Sequence, residues 1–369
     1  MVVAPDTAAA VCPRIAVIGP APPPNGGMAM QTAQLIELLR GEGCDARFVA
    51  VNPPYRPAWL GRVRGVRALA RLLPYLAHLW RAAGEAEVIH LMANSGWSWH
   101  LFAAPAILVA RLRRTPVIVN YRGGEAEAFL RAQARWVLPV MRRAACIVVP
   151  SGFLRAVFRR WGIESRIIPN IVRLERFAVE GERQPGEEPL IVVTRNLERI
   201  YGVDIALRAF SRLREKWPGA RLLIAGEGPE REALEALARE LGVADVTRFT
   251  GRLGREEMVD LYRRADLLLN ASRVDNTPNS LIEAMAAGVA IVSTRAGGIP
   301  YLVEDGRDAL LCEIDDADCL AASMDRLLRE PALCQRLVAA GRETVAAFGW
   351  GRVRGQWLDL YRRVASASE

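Results

Sequence analysis

The 369-residue chain is predicted to be an α/β protein of two doubly wound, Rossmann-like domains, each built on a parallel sheet. Three observations predict this. The length exceeds what one hydrophobic core supports and suggests two domains of about 150 to 200 residues. Both halves open on an apolar strand run that leads into a Gly/Pro turn and a helix. Short β-rich runs then alternate with helical patterns of about 10 to 15 residues, as βαβ units do.

Residues 1–13 read as a loose tail, because no basic segment precedes a long apolar run. "RIAVIGPAPPPNGGMAMQTAQLIELLRGEG" predicts a strand at 14–18, a loop, and a helix from about Met28 to Arg40. "DARFVAV", "EVIHLMA", "PVIVNYR", "CIVVPS" and "RIIPN" complete the strands of a domain spanning 14–175. A polar stretch without periodicity, 176–189, is the expected linker. "LIVVTRN", "ARLLIAGEG", "TRFTG", "DLLLNAS", "VAIVSTR" and "ALLCE" then supply the strands of a second domain, 190–345. The last segment, 346–369, predicts an amphipathic helix with Trp350, Trp357 and Tyr361 available to pack across a domain seam.

An apolar fraction of 51% argues for a globular chain. The six cysteines are scattered, with no C-x-x-C pair or close histidine, and read as buried thiols in a reducing compartment. "LFAAPAILVA" is about half of what spanning a bilayer needs. A cytoplasmic protein is expected. Residues 1–180 hold 23 Arg against 11 acidic residues, whereas the remainder holds 26 basic and 30 acidic ones. The first half should therefore face phosphates or an anionic membrane surface; no nucleic acid is expected.

Ligands of open parallel sheets bind beyond the carboxyl ends of the strands. The loops of interest are thus Gly26-Gly27, Arg122-Gly123-Gly124, Arg195-Asn196, Gly226-Glu227-Gly228-Pro229, Ser272–Asn279 and Gly297-Gly298. In "SRVDNTPNSLIEAMAAG", residues 272–288, Ser280 and Glu283 fit the S-x-x-E capping box. That leaves Asp275 unexplained. The N–H groups of Asn279, Ser280 and Leu281 would be open donors at a positive helix end, where a diphosphate is stabilised. Asp316-x-Asp318 fits a helix start better than a metal site.

"LLIAGEGPEREALEALARELG", "TRFTGRLGREEMVDLYRRADLLLNAS", "NSLIEAMAAGVAIVSTRAGGIPYLVEDGRDALL" and the closing "W…LY" helix resemble family 4 of the retaining glycosyltransferases. The similarity is strong over about 188–330 and weaker from 14 to 176. It implies the GT-B fold, two facing Rossmann-like domains with a C-terminal helix crossing back to the first. It also implies transfer of a sugar from a nucleoside-diphosphate sugar to a glycan or lipid-linked acceptor, with no cofactor and no metal, in cell-surface polysaccharide or glycolipid assembly. The family's paired carboxylates, spaced E-x7-E, correspond to Asp275 and Glu283, the first being the shorter acid. Arg195 matches the arginine that meets the donor phosphates. The partner lysine is replaced by Tyr201 ahead of Gly202, with Arg199 as a substitute cation. The donor side extends to Gly26, Gly27, Gly226, Arg252, Leu253, Asn276, Thr277, Pro278, Asn279, Ser280 and Leu281.

On the acceptor side the resemblance points to Arg122, Gly123, His90 and Asn94. Arg122 stands where the family often has a histidine; always protonated, it is no base but can bind an acceptor phosphate bidentately. His90 has an ordinary packed reading as well. Two alternatives stay open: a catalytically silent GT-B subunit, and a sugar-nucleotide epimerase. A phosphorylase would need a cofactor lysine, and the one lysine, Lys216, lies in a surface-like helix. Finally, "WLGRVRGVRALARLLPYLAHLW" places Val63, Val66, Leu69, Ala70 and Leu73 on one helical face and Arg64, Arg67 and Arg71 on another, with Trp59 and Trp80 near its ends. That pattern suits peripheral contact with the inner face of an anionic membrane, or an ordinary helix packed on the sheet.

Overall fold

The computed structural model describes residues 12–22, 27–53, 66–178 and 186–367, with side chains of the helix starting at Val66 given from Arg71 onward. The tail to residue 11, Gly26, Trp59, Val63 and Arg64, the side chains of Val66, Arg67, Leu69 and Ala70, and 179–185 of the expected linker lie outside the described residues.

The first unit contains residues up to Pro150, Arg155–Ile171 and the chain from Val353 on. Its parallel sheet runs β2-β1-β3-β4-β5-β6, formed by β1 (Ile15–Gly19), β2 (Ala46–Ala50), β3 (Val88–Ala93), β4 (Val117–Tyr121), β5 (Cys146–Val149) and β6 (Arg166–Ile167). Every residue of β1, β3 and β4 is buried. Strands covered on both faces read as continuous apolar runs rather than alternating ones, which is why they were visible in the sequence. The helices include α1 (Gly27–Gly41), α2 (Val66–Glu85), α3 (Ala104–Leu112), α4 (Ala126–Met141) and α5 (Gly152–Arg160).

The second unit contains Val172–Arg352 and Ser151–Leu154. After the short α6 (Leu174–Phe177) come β7 (Leu190–Val193), α7 (Val203–Arg214), β8 (Arg221–Ala225), α8 (Arg231–Glu240), β9 (Thr247–Gly251) and α9 (Arg255–Arg264). Then follow β10 (Leu267–Asn270), α10 (Asn279–Ala286), β11 (Ala290–Thr294), β12 (Leu310–Cys312), α11 (Ala317–Arg329) and α12 (Pro331–Val345). The sheet order is β12-β11-β10-β7-β8-β9, all parallel. Read from β9, this is the doubly wound order whose switch point lies between its first and fourth strands, here β7 and β10.

The last helix, α13 (Trp350–Ser366), belongs to the first unit from Val353 on. Trp357 and Tyr361 are almost fully buried there, against His90 of β3. Of the aromatic residues expected at a domain seam, Trp357 and Tyr361 thus pack inside the first unit, whereas Trp350 lies in the second. Large rings buried this deeply are strong anchors, each removing roughly 150 to 250 Å² from water.

The cysteine expectation requires correction. Cys12 is bonded to Cys44 and Cys312 to Cys319, while Cys146 and Cys334 are free. The scatter along the sequence hid two spatial neighbours. Cys12 and Cys44 precede β1 and β2, which pair directly with Ile15 opposite Ala46. Cys312 closes β12 and Cys319 lies in the first turn of α11. Among the described residues, no helix is long and apolar enough to cross a membrane.

Candidate active site

Arg195 follows β7 by two residues, and the 272–279 loop follows β10, so both lie at the switch point of the second sheet. The side chain of Arg195 is only 13% exposed and forms an ion pair with Asp275, itself 11% exposed. Its guanidinium carbon stands 4.4 Å from the ring centre of Tyr201, a cation–π contact in a desolvated setting. Burial lowers the arginine's pKa, opposed by Tyr201, Tyr262 and Glu283. Its Nε is buried with no acceptor among the described residues. A buried donor left open is expensive, and an anionic ligand is one group that would fill it.

Asp275 is held from two directions. Its Oδ1 accepts the N–H of Asn276 at 2.8 Å, and its carbonyl accepts from Gly298 N at 2.9 Å. A Cβ on Gly297 (φ +52) would meet that carbonyl oxygen at 2.2 Å. The glycine pair Gly297-Gly298 is thus required by close approach to the loop. Arg273 pins the same loop from outside, with two hydrogen bonds of 2.8–2.9 Å to Asp204 and one of 2.6 Å to Asp315.

Glu283 lies in α10, and the capping box is not formed. The N-cap is Pro278, with no side-chain cap bond, and Ser280 lies inside the helix with its Oγ unpartnered. A proline one residue beyond Thr277 starts the helix two residues earlier than S-x-x-E implies. The carboxyl instead bonds to Tyr262 of α9, whose hydroxyl also meets Thr194 Oγ1 at 2.8 Å. Burial pushes the Glu283 pKa up to about 7, against the pull of Tyr262 and Arg195. The group is therefore poised near neutrality, a feature common at functional sites.

Other expected donor-side residues take several roles. Leu281 is fully buried and its N–H is used by the Pro278 carbonyl at 3.2 Å, so it is not an open donor. Asn276 is buried and its Oδ1 accepts from Ser151. Thr277 is partly buried on the loop and Asn279 partly buried at the first position of α10. Gly226 is needed because a Cβ there would meet the Arg195 carbonyl oxygen at 1.9 Å. Arg252 is 40% exposed and pairs with Glu227 at 3.5 Å, and Leu253 packs on the core. Arg199 is exposed, with no ion pair among the described residues; its carbonyl accepts from Arg273. The contacts of Tyr201 with Arg195 and of Tyr262 and Thr194 with one another were missed; an isolated aromatic such as Tyr262 in a helical run reads as core. Asp316 caps α11 by accepting from Cys319 N, as expected. Lys216 is engaged with Asp325 at 2.8 Å.

In the first unit, Gly27 opens α1 with nothing within 4 Å of a Cβ placed on it. His90 is not an acceptor-side group. It is fully buried, with Nδ1 2.7 Å from the Tyr361 hydroxyl and Nε2 3.1 Å from the Asn120 amide. Burial, with the charge of Arg122, drops its pKa to about 3, so it stays neutral. Arg122 follows β4 and donates from Nη2 to Gln31 and Asn170. A Cβ at Gly123 would meet Asn94 Oδ1 at 2.3 Å, so the loops after β3 and β4 touch there.

Comparison with known proteins decides the family. A model described as "Glycosyl transferases group 1" matches residues 176–344, and "Glycosyl transferase 4-like domain" matches 26–170. The chain belongs to the family 4 glycosyltransferases. It is similar to a D-inositol 3-phosphate glycosyltransferase of Nocardiopsis dassonvillei, 27% identical across 87% of this chain and 80% of that one. A GDP-mannose-dependent alpha-(1-6)-phosphatidylinositol monomannoside mannosyltransferase of Mycobacterium tuberculosis is 27% identical across 92% of this chain and 96% of its own. Among solved structures, Anabaena HepE with UDP-glucose superposes with a TM-score of 0.75 at 15% identity, covering 95% of this glycosyltransferase and 99% of that chain. That last likeness is one of fold, GT-B. As a member of this family the chain is a hexosyltransferase-class enzyme.

Proposed function

We propose that this enzyme is a retaining, metal-independent transferase that takes a nucleoside-diphosphate sugar and passes the sugar to a glycan or lipid-linked acceptor in cell-surface polysaccharide or glycolipid assembly. The observation that carries the reading is the convergence of Arg195, Asp275 and Glu283 with the N-terminus of α10 at the switch point of the second sheet. The open Nε of Arg195 and the first N–H groups of α10 are suited to the donor diphosphate, and meet the charge that grows on it as it leaves. Glu283 and Asp275 are suited to accept from ribose and sugar hydroxyls. In front-face transfer the bond from the anomeric carbon to the diphosphate oxygen breaks and one to the acceptor oxygen forms on the same face. The acceptor's proton passes to the leaving phosphate. No protein nucleophile is needed. The GDP-mannose dependence of one relative and the UDP-glucose bound to one structural neighbour support a nucleotide-sugar donor.

Peripheral contact with an anionic membrane is part of the same reading. On α2, Leu73 and Trp80 are 63% and 48% exposed, while Tyr75 and Leu79 form the packed face. On α3, Leu108 and Leu112 are exposed, and Arg113 stands over the Trp80 ring at 5.0 Å. Exposed apolar and aromatic groups beside arginines suit a headgroup interface.

The donor reading is tested by a thermal-shift panel of UDP, GDP, ADP and their sugars. One diphosphate series should raise the melting temperature, since a ligand at 100 times its dissociation constant adds about 2.7 kcal/mol. No shift with any of them would remove the donor reading.

A further inference from the structure

Among the described residues, Arg122 is a cation whose side-chain partners are all neutral. Its backbone N–H donates to Ala93 O at 3.0 Å, which fixes it just past the carboxyl ends of β3 and β4, the end at which parallel sheets bind ligands. Its side-chain hydrogen bonds both leave from Nη2, to Gln31 Oε1 at 3.3 Å and to Asn170 Oδ1. Both acceptors are buried amides, 5% and 6% exposed. Gln31 is itself fixed by two bonds to Ile171, accepting its N–H at 3.0 Å and donating to its carbonyl at 2.7 Å. Nε and Nη1 make no hydrogen bond within the described residues, and no carboxylate pairs with the guanidinium there.

A cation in this setting is costly. Burial alone pulls the arginine's pKa down to about 10, with no opposing carboxylate. Evolution usually resolves such a cost with a counter-ion, and a missing one is commonly supplied by a ligand. Asn94 adds a donor on the same rim, because its Oδ1 is used by Ser95 N at 2.8 Å while its Nδ2 has no hydrogen-bond partner among the described residues. A guanidinium edge beside an amide donor fits phosphate oxygens.

We infer that Arg122, with Asn94, forms a phosphate-binding subsite of the first unit that selects an acceptor carrying a phosphate group. This rests on the donor reading above, in which the diphosphate of the nucleotide is met in the second unit by Arg195 and α10.

The test is a calorimetric titration of the full chain, held in a saturating mixture of UDP, GDP and ADP so that any donor phosphate site is filled. The titrants are inorganic phosphate, glucose 6-phosphate and glucose. Phosphate and glucose 6-phosphate should bind and glucose should not. Arg122→Gln should weaken glucose 6-phosphate by about tenfold or more, and Arg122→Lys by less, while nucleotide binding stays within about twofold. The inference is overturned if the nucleotide mixture displaces the phosphates, which would place the anion in the donor site, or if folded Arg122→Gln binds them as well as the parent. Should the glutamine variant not fold, Arg122→Lys decides: a folded lysine variant that binds no phosphate contradicts a charge-based subsite. Nucleotide binding without phosphate binding overturns this inference alone, whereas loss of nucleotide binding in the parent overturns the donor reading.

Discussion

Tyr201 stacks on Arg195, its ring centre 4.4 Å from the guanidinium carbon, at the position where the resemblance leads one to expect a lysine. An aromatic face thus stands where a second cation was expected. It holds the arginine's plane without adding a charge, so in the proposed reading the phosphate contact depends on Arg195 alone among these two.

Replacing Arg195 by Gln should therefore weaken nucleoside-diphosphate binding by about 10- to 100-fold and leave nucleoside binding nearly unchanged, because only the phosphates carry the charge it meets. Paired titrations of diphosphate and nucleoside check this. Equal losses in both would indicate a folding defect.

Glu283 gives a pH signature. Its carboxyl keeps its proton up to about 7 in the folded protein but releases it near 4.5 when exposed. Between these values the folded state binds more protons than the unfolded one, so this group's contribution to stability falls as pH rises from about 4.5 to 7. Glu283→Gln lacks that loss. Its melting temperature relative to the parent should rise across the same window, by an amount corresponding to at most about 3 kcal/mol. A constant difference from pH 4.5 to 8 would contradict the poised carboxyl.

Gly202 sets the turn that presents Tyr201. It has φ +59, and a Cβ there would meet the Ala271 carbonyl oxygen at 2.0 Å. Gly202→Ala should cost about 2 to 4 kcal/mol in urea unfolding, and a folded remnant should lose diphosphate affinity as Tyr201 shifts off Arg195. A neutral effect on both would refute the role given to this turn.

Membrane contact predicts co-sedimentation with anionic liposomes at low salt and release at high salt. Leu73→Ser with Trp80→Ser should weaken it without lowering the melting temperature, since both side chains are exposed. Arg64/Arg67/Arg71→Glu should weaken it further. Absence of binding at low salt leaves α2 as an ordinary packed helix.

The central strands β1, β3, β4, β10 and β11 were legible because each is a continuous buried run, and the glycine loops after the strands marked the ligand end. Arg195, Asp275 and Glu283 were legible from spacing and resemblance. Their pairing was not, because an arginine 80 residues from an aspartate becomes its neighbour only when β7 and β10 lie side by side. Tyr262 was hidden for the same reason, being one aromatic among the apolar positions of α9. His90 misled because a strand-end histidine and a fully enclosed one look alike until the C-terminal helix covers it. The S-x-x-E box misled because Pro278 starts α10 earlier. The cysteines showed no spacing signal, since pairing between β1 and β2 brings residues 12 and 44 together.

The central claim is that Glu283 and its neighbours hold the donor for transfer. The most direct test is release of labelled sugar from the nucleotide sugar found by thermal shift, with cell-extract acceptors, comparing the parent with Glu283→Gln. The account predicts a folded variant whose turnover falls by about 100-fold or more. Equal turnover in the parent and the folded variant would contradict it.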